Sequence, residues 1–159
     1  MNIKRKGFVK VVSKNRINLL INTLTMTSTV IYEGNLRTAA SHLQSGNQIE
    51  TDAPTDNQGK GERFSPTDLV ATALGSCMMT IMGIKARDME LDLEGTQIDI
   101  TKHMGVNPRR ITGIDVVLHF PKTLSLTDKD KTVLERAALT CPVFESIHPD
   151  IKVDTQFDW

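Results

Sequence analysis

Two cysteines carry the covalent chemistry available to this chain. Cys77 lies within Leu69–Ile84 (LVATALGSCMMTIMGI), a stretch without a charged side chain, and Cys141 stands directly before Pro142 in Ala-Leu-Thr-Cys-Pro-Val. A thiol inside an apolar segment behaves as a small hydrophobe, so one reading of Cys77 is a core cysteine. The other is a redox pair, in which a sulfenic acid on one sulfur condenses with the second thiol to give a disulfide. Burial raises a thiol's pKa, so a reactive Cys77 needs a cation beside it, and the apolar segment supplies none. Two cysteines are too few for a secreted disulfide scaffold and too far apart for a zinc site of paired spacing. The expected location is a reducing cytoplasm, where a disulfide would be transient and catalytic. His42, His103, His119 and His148 lack metal-ligand spacing and read as structural. The methionines, with Met78, Met79 and Met82 around Cys77, read as core filler or as the lining of an apolar pocket.

The elements that must hold these thiols are legible from turn residues and periodicity. Thr27–Tyr32 is β-branched and reads as a strand. Gly34-Asn35 turns into a second strand over Leu36–Leu43, and Ser45-Gly46-Asn47 into a third around Gln48–Thr51. Asp52–Phe64 is a polar loop. Ser65 then suits an N-cap, Pro66 a first helical position and Asp68 the acidic first turn, opening a helix to about Met89 with Cys77 near its middle. Its apolar residues surround the axis, which predicts cover on most sides; Gly75 and Gly83 are tolerable if another backbone comes close. Thr96–Met104 alternates Ile98, Ile100 and Lys102 against Asp99, Thr101 and His103, and Ile111–Phe120 alternates likewise, so both are strands. Thr127 with Asp130 caps a helix over Asp128–Leu139, Pro142 opens a short one through Ile147, and Ile151, Val153 and Phe157 mark a last strand. The order βββ, long α, ββ, two short α, β predicts an α+β domain with a largely antiparallel sheet.

Composition bounds the function. A length of 159 residues suits one domain, and nineteen basic residues against nineteen acidic argue against nucleic acid as a main partner. The charge is uneven: residues 1–25 hold six basic residues and no acid, leaving thirteen basic against nineteen acidic beyond them. Residues 1–25 read as a basic, variable or disordered N-terminal extension, or as an arm touching an anionic surface, before a domain over 26–159. Leu69–Ile84 is short of a membrane span, so no membrane partner is expected.

The pieces Ser65-Pro66-Thr67-Asp68-Leu69-Val70 leading to Gly75-Ser76-Cys77, Pro108-Arg109-Arg110-Ile111, and Cys141-Pro142-Val143 resemble the OsmC/Ohr family of osmotically induced and organic hydroperoxide resistance proteins, from about residue 27 onward. The Thr51–Glu62 loop looks like the OsmC-like branch. The resemblance implies an intertwined homodimer, with a long central buried helix against a curved antiparallel sheet and paired sites at the dimer interface. It implies a stress-response thiol peroxidase without metal or prosthetic group. Cys77 would attack an organic hydroperoxide, Cys141 would resolve the sulfenic acid, and a lipoyl- or thioredoxin-type dithiol would reduce the disulfide. Peroxidase members use an arginine from the early strands and a glutamate directly after the helix proline. Arg37 is the matching arginine candidate, with a solvated strand arginine as the plain alternative. Thr67 occupies the glutamate position, which leaves Glu62, otherwise an exposed loop charge, to orient the arginine. The departure opens a second reading: a non-catalytic member binding or sensing an apolar ligand at the dimer interface. Arg109 and Arg110 are expected to face solvent.

Overall fold

A computed structural model describes residues 26–159; the extension expected over 1–25 lies outside them. Strands β1 (Ser28–Gly34), β2 (Arg37–His42) and β3 (Gln48–Asp52) form an antiparallel meander. Its first turn bends through Gly34, Asn35 and Leu36, all at positive φ. The β2–β3 register sets Arg37 opposite Asp52 and Thr38 opposite Thr51, so the early arginine is born beside a carboxylate.

Helix α1 (Pro66–Asp88) starts as its sequence dictates. Ser65 Oγ accepts the Asp68 N–H at 3.1 Å, and Asp68 Oδ2 accepts the Ser65 N–H at 2.7 Å. This reciprocal capping box satisfies two donors that a helix start leaves open, and Pro66 has no N–H to satisfy. Strands β4 (Gln97–Val106) and β5 (Arg109–His119) make a long hairpin, followed by α2 (Asp128–Ala138), α3 (Pro142–Ser146) and β6 (Lys152–Asp158).

Two corrections to the expected sheet follow. The strands form two separate three-stranded sheets, and β6 runs parallel to β5. The second follows from the connection: α2 and α3 form a crossover that carries the chain back to the starting end of β5, whereas a tight turn would have forced antiparallel pairing.

The core lies between α1 and the second sheet. Leu74, Met78 and Met82 on one helix face meet Ile114, Val116 and Leu118 of β5, closed by Leu134, Ala138 and Cys141. Gly75 permits close contact, but with side chains of β4 rather than with another backbone: an added Cβ would stand 2.5 Å from Ile100 Cδ1. The single chain covers α1 on one face only, where cover on most sides is expected. Val70, Ala73 and Ile84 are exposed within the chain. The 23-residue helix has the length and composition of a membrane span, yet its inner face is packed on β4, β5, α2 and α3.

Candidate functional site

The thiols meet where α1 passes the start of α3. Cys77, half-buried, sits between Leu74 and Met78, both fully covered. Cys141 is the N-cap of α3, completely buried, and its Sγ accepts the Phe144 N–H at 3.4 Å. Pro142 takes the first helical position, so the Cys-Pro pair is a helix start in which sulfur replaces the usual cap oxygen. Cys77 neighbours Cys141 closely enough to act on its thiol, and both thiols are free. Burial pushes the Cys141 thiol up from its ordinary range; the Phe144 N–H opposes this, and the neighbouring Cys77 adds to it. Cys141 therefore keeps its proton at neutral pH. Of the two sulfurs, Cys77 is the one that a molecule from solution can reach.

The second cluster is charged. Arg37 donates from Nε to Asp52 Oδ1 at 2.7 Å, from Nη2 to Asp52 Oδ2 at 2.7 Å, and from Nη2 to Glu62 Oε2 at 2.8 Å. Asp52, only 2% exposed, also accepts the Glu62 N–H at 3.1 Å. Arg37's bonds hold the Asp52 carboxyl below its usual range, against the opposing effect of burial. In turn Asp52 and then Glu62 raise the guanidinium further, so it stays cationic. Arg37 and Glu62 are thus brought together, and Cys77 and Cys141 are brought together. Among the described residues, no hydrogen bond or ion pair joins Arg37 to either cysteine.

Asp52 was missed by sequence reading, which placed it at the start of a loop. Lys102 was signalled but not interpreted: the alternation of β4 put it on the apolar face. There its Nζ donates to Asp68 Oδ1 at 2.6 Å and to Thr67 Oγ1 at 2.8 Å. Burial works to raise the Asp68 carboxyl, but bonds from Lys102 and Ser65 outweigh it and leave the group below its ordinary range. Thr67, in place of a glutamate, thus takes part in a lysine–aspartate cluster at the head of α1. Arg109 and Arg110 keep 36 and 39% of their side chains exposed while also taking local partners. Arg109 Nη2 bonds both Asp56 oxygens at 3.0 Å, while Arg110 Nη1 is buried without a partner. The histidines take ordinary polar partners: His103 pairs with Asp115, and His119 bridges Asp99 and Asp158.

The model of the family described as OsmC-like protein matches residues 59–156, which include both cysteines. Among solved structures, one from Psychrobacter arcticus 273-4, described as an osmotic stress induced and detoxification response protein, is 55% identical, with 84% of this chain and 96% of that chain covered at a TM-score of 0.80. An organic hydroperoxide resistance protein from Legionella pneumophila is 16% identical over 85% of this chain and 98% of its own, TM-score 0.66. An OsmC-like protein of unknown function from Vibrio cholerae is 15% identical over 82% and 96%, TM-score 0.69. At those last two identities the likeness is one of fold. No functionally curated protein matches the sequence.

Proposed function

We propose that this chain, which belongs to the OsmC-like protein family, is a homodimeric cysteine peroxidase that reduces organic hydroperoxides to alcohols. One observation carries the reading: a half-buried thiol, Cys77, within reach of a fully buried one, Cys141. The Cys77 thiolate attacks the outer peroxide oxygen. The O–O bond breaks, the alkoxide takes a proton and leaves as alcohol, and Cys77 becomes a sulfenic acid. The protonated Cys141 gives up its hydrogen as the two sulfurs join, releasing water and leaving a disulfide. An external dithiol of lipoyl or thioredoxin type then returns both thiols. No metal or prosthetic group enters this sequence, and a reducing cytoplasm suits it.

The thiolate needs a cation, and Arg37 of the same chain is held by Asp52 and Glu62 without contact to Cys77. A second copy meets both needs at once. It would cover the exposed apolar residues of β1 and the outer face of α1, and it would carry the Arg37–Asp52–Glu62 cluster of one subunit to the Cys77 of the other. The named hydroperoxide resistance of the Legionella relative is in keeping with this reading. Val70, Ala73 and Ile81 near Cys77 would favour alkyl peroxides, since each buried methylene is worth about 0.8 kcal/mol.

The test is steady-state turnover of cumene, tert-butyl and hydrogen peroxides with dihydrolipoamide or reduced thioredoxin. The expected result is preference for the two organic peroxides, complete loss in Cys77→Ser, and a trapped sulfenic acid in Cys141→Ser. No turnover by a reduced, dimeric protein would replace this reading with that of a non-catalytic binder. Thr67, whose hydroxyl is engaged by Lys102 where a glutamate would face the arginine, is the observation that favours that second reading.

A further inference from the structure

We propose that the external dithiol opens the protein disulfide by attacking Cys77 alone, so that Cys77 carries the mixed disulfide with the reductant and Cys141 is the leaving group. The inference rests on the reading above in one respect, that the two thiols pass through a disulfide.

The two sulfurs differ in where they sit. Cys77 is half-buried on α1, whereas Cys141 is completely buried in the core that also holds Leu134 and Ala138. A thiolate attacks a disulfide with the struck sulfur between the incoming and the departing one, and access selects the sulfur that is struck. In line with Cys77, the reductant arrives from the solvent side and Cys141 departs toward the core. In line with Cys141, it would have to stand on the far side of that residue, inside a close-packed interior with no room for a second thiol.

Cys141 is also prepared to leave. Its Sγ accepts the Phe144 N–H at 3.4 Å, and that donor stabilises negative charge on the departing sulfur. Burial acts the other way and pushes the Cys141 thiol up, so the released thiolate takes a proton. A protonated Cys141 is a poor nucleophile and does not attack back. The reductant's second thiol therefore has time to act.

The electrons balance over two exchanges. The first reductant thiolate bonds to Cys77 Sγ, and the protein S–S bond breaks with its electron pair on Cys141. The second reductant thiolate bonds to the first reductant sulfur and expels Cys77 as thiolate, ready for another peroxide. The protein disulfide gains two electrons, and the dithiol loses two and leaves as a disulfide. Reductant and peroxide thus enter by one opening.

The test uses the full chain with its disulfide closed by diamide, so that no peroxide turnover is required. The oxidised protein is mixed briefly with N-acetylcysteine, a monothiol that cannot carry out the second exchange intramolecularly. It is then quenched with N-ethylmaleimide in urea and mapped by peptide mass. At the earliest times the monothiol should sit on Cys77 at least about tenfold more often than on Cys141, with maleimide on Cys141. Equal or greater labelling of Cys141 by the monothiol overturns the proposal, and so does failure of diamide to join the two cysteines. A protein closed by diamide but not by cumene hydroperoxide, with the monothiol on Cys77, would remove the peroxidase reading and still support this order of attack.

Discussion

The two three-stranded sheets differ in what covers them. Strands β4, β5 and β6 alternate inward and outward residues along their lengths, and the inward set of β5, Ile114, Val116 and Leu118, is sealed by α1. In the first sheet Val30, Ile31 and Tyr32 follow one another at 63, 65 and 64% exposure, and Ile49 of β3 is exposed as well. Consecutive residues of a strand point to opposite faces, so the first sheet exposes apolar residues on both, although Thr51 and Asp52 at the end of β3 are buried. One sheet therefore finishes its core within the chain, while the other presents the surface of an unfinished one. Apolar exposure of this kind marks an interaction surface. The outer face of α1, with Val70, Ala73 and Ile84, is open in the same way. The contrast teaches that the second sheet and α1 hold the thiols by themselves, whereas the first sheet, which holds the arginine cluster, leaves its apolar residues open to the second copy proposed above.

The largest effect should come from the covered sheet. Leu118→Ala empties a fully buried site and should cost about 2–5 kcal/mol of stability, read by urea denaturation. A loss below about 1 kcal/mol would mean that β5 is not the floor of the core.

The uncovered sheet should answer to a different measurement. Ile31→Glu places a charge on its exposed face and should weaken the proposed dimer at least tenfold, about 1.4 kcal/mol, in sedimentation equilibrium. The secondary structure of the remaining monomer should persist. A dimer that dissociates no more readily than the parent would remove the first sheet from the subunit contact.

How much of this was legible beforehand depended on whether the signal was local. Every strand and helix expected over 27–159 is present, because period-two alternation, the Ser65 and Thr127 caps and the Cys141-Pro142 start are local devices. What a strand pairs with is not local: the division into two sheets and the parallel β6 are set by the helical crossover. The one-sided burial of α1 escaped for a related reason, since apolar residues around a helix show that it is covered without telling which chain covers it. In the site, the approach of Cys77 to Cys141 follows from the element order shared with the family. The partners of Arg37 do not. Asp52 looks like a loop residue until the β2–β3 register is known, whereas Lys102, apolar-facing in the alternation of β4, carried a sign of its half-buried ion pair that went uninterpreted.

The arginine cluster supplies an acid-sensitive counterpart to the pH-indifferent apolar core. Asp52 is depressed in the fold by its bonds to Arg37. A depressed carboxyl stabilises the fold at pH values above its unfolded value, about 3.9, and that contribution disappears as pH falls through the folded pKa. Hydrogen exchange of residues 52–62 should therefore accelerate below about pH 4 while β4–β6 stay protected. Asp52→Asn should show the faster exchange already at neutral pH, and slow alkylation of Cys77 if the cluster serves that thiol in the dimer. Arg37→Ala should reproduce both effects. Exchange at 52–62 that is indifferent to pH and to Asp52→Asn would show that the clamp does not order the loop.

The smallest effect is expected at the junction of the two regions, where the loop from the first sheet becomes α1. Ser65 is buried and caps the helix, and Asp68 answers it while also holding Lys102 of β4. Removing the hydroxyl leaves the Asp68 N–H without its acceptor, and water cannot readily replace it at a buried position. The Asp68 carboxylate remains to accept the Ser65 N–H and to hold Lys102, so only half of the capping box is lost. Ser65→Ala should consequently cost about 1 kcal/mol, the usual value for a cap, with an unchanged denaturant slope. Exchange should quicken in the first turn of α1 and in residues 61–65, while the middle of the helix around Cys77, held by Leu74 and Met78 against β5, should not respond. If Cys77 alkylation changed with this variant, the head of α1 would be coupled to the thiol along the helix, and the separation between the two regions would not hold.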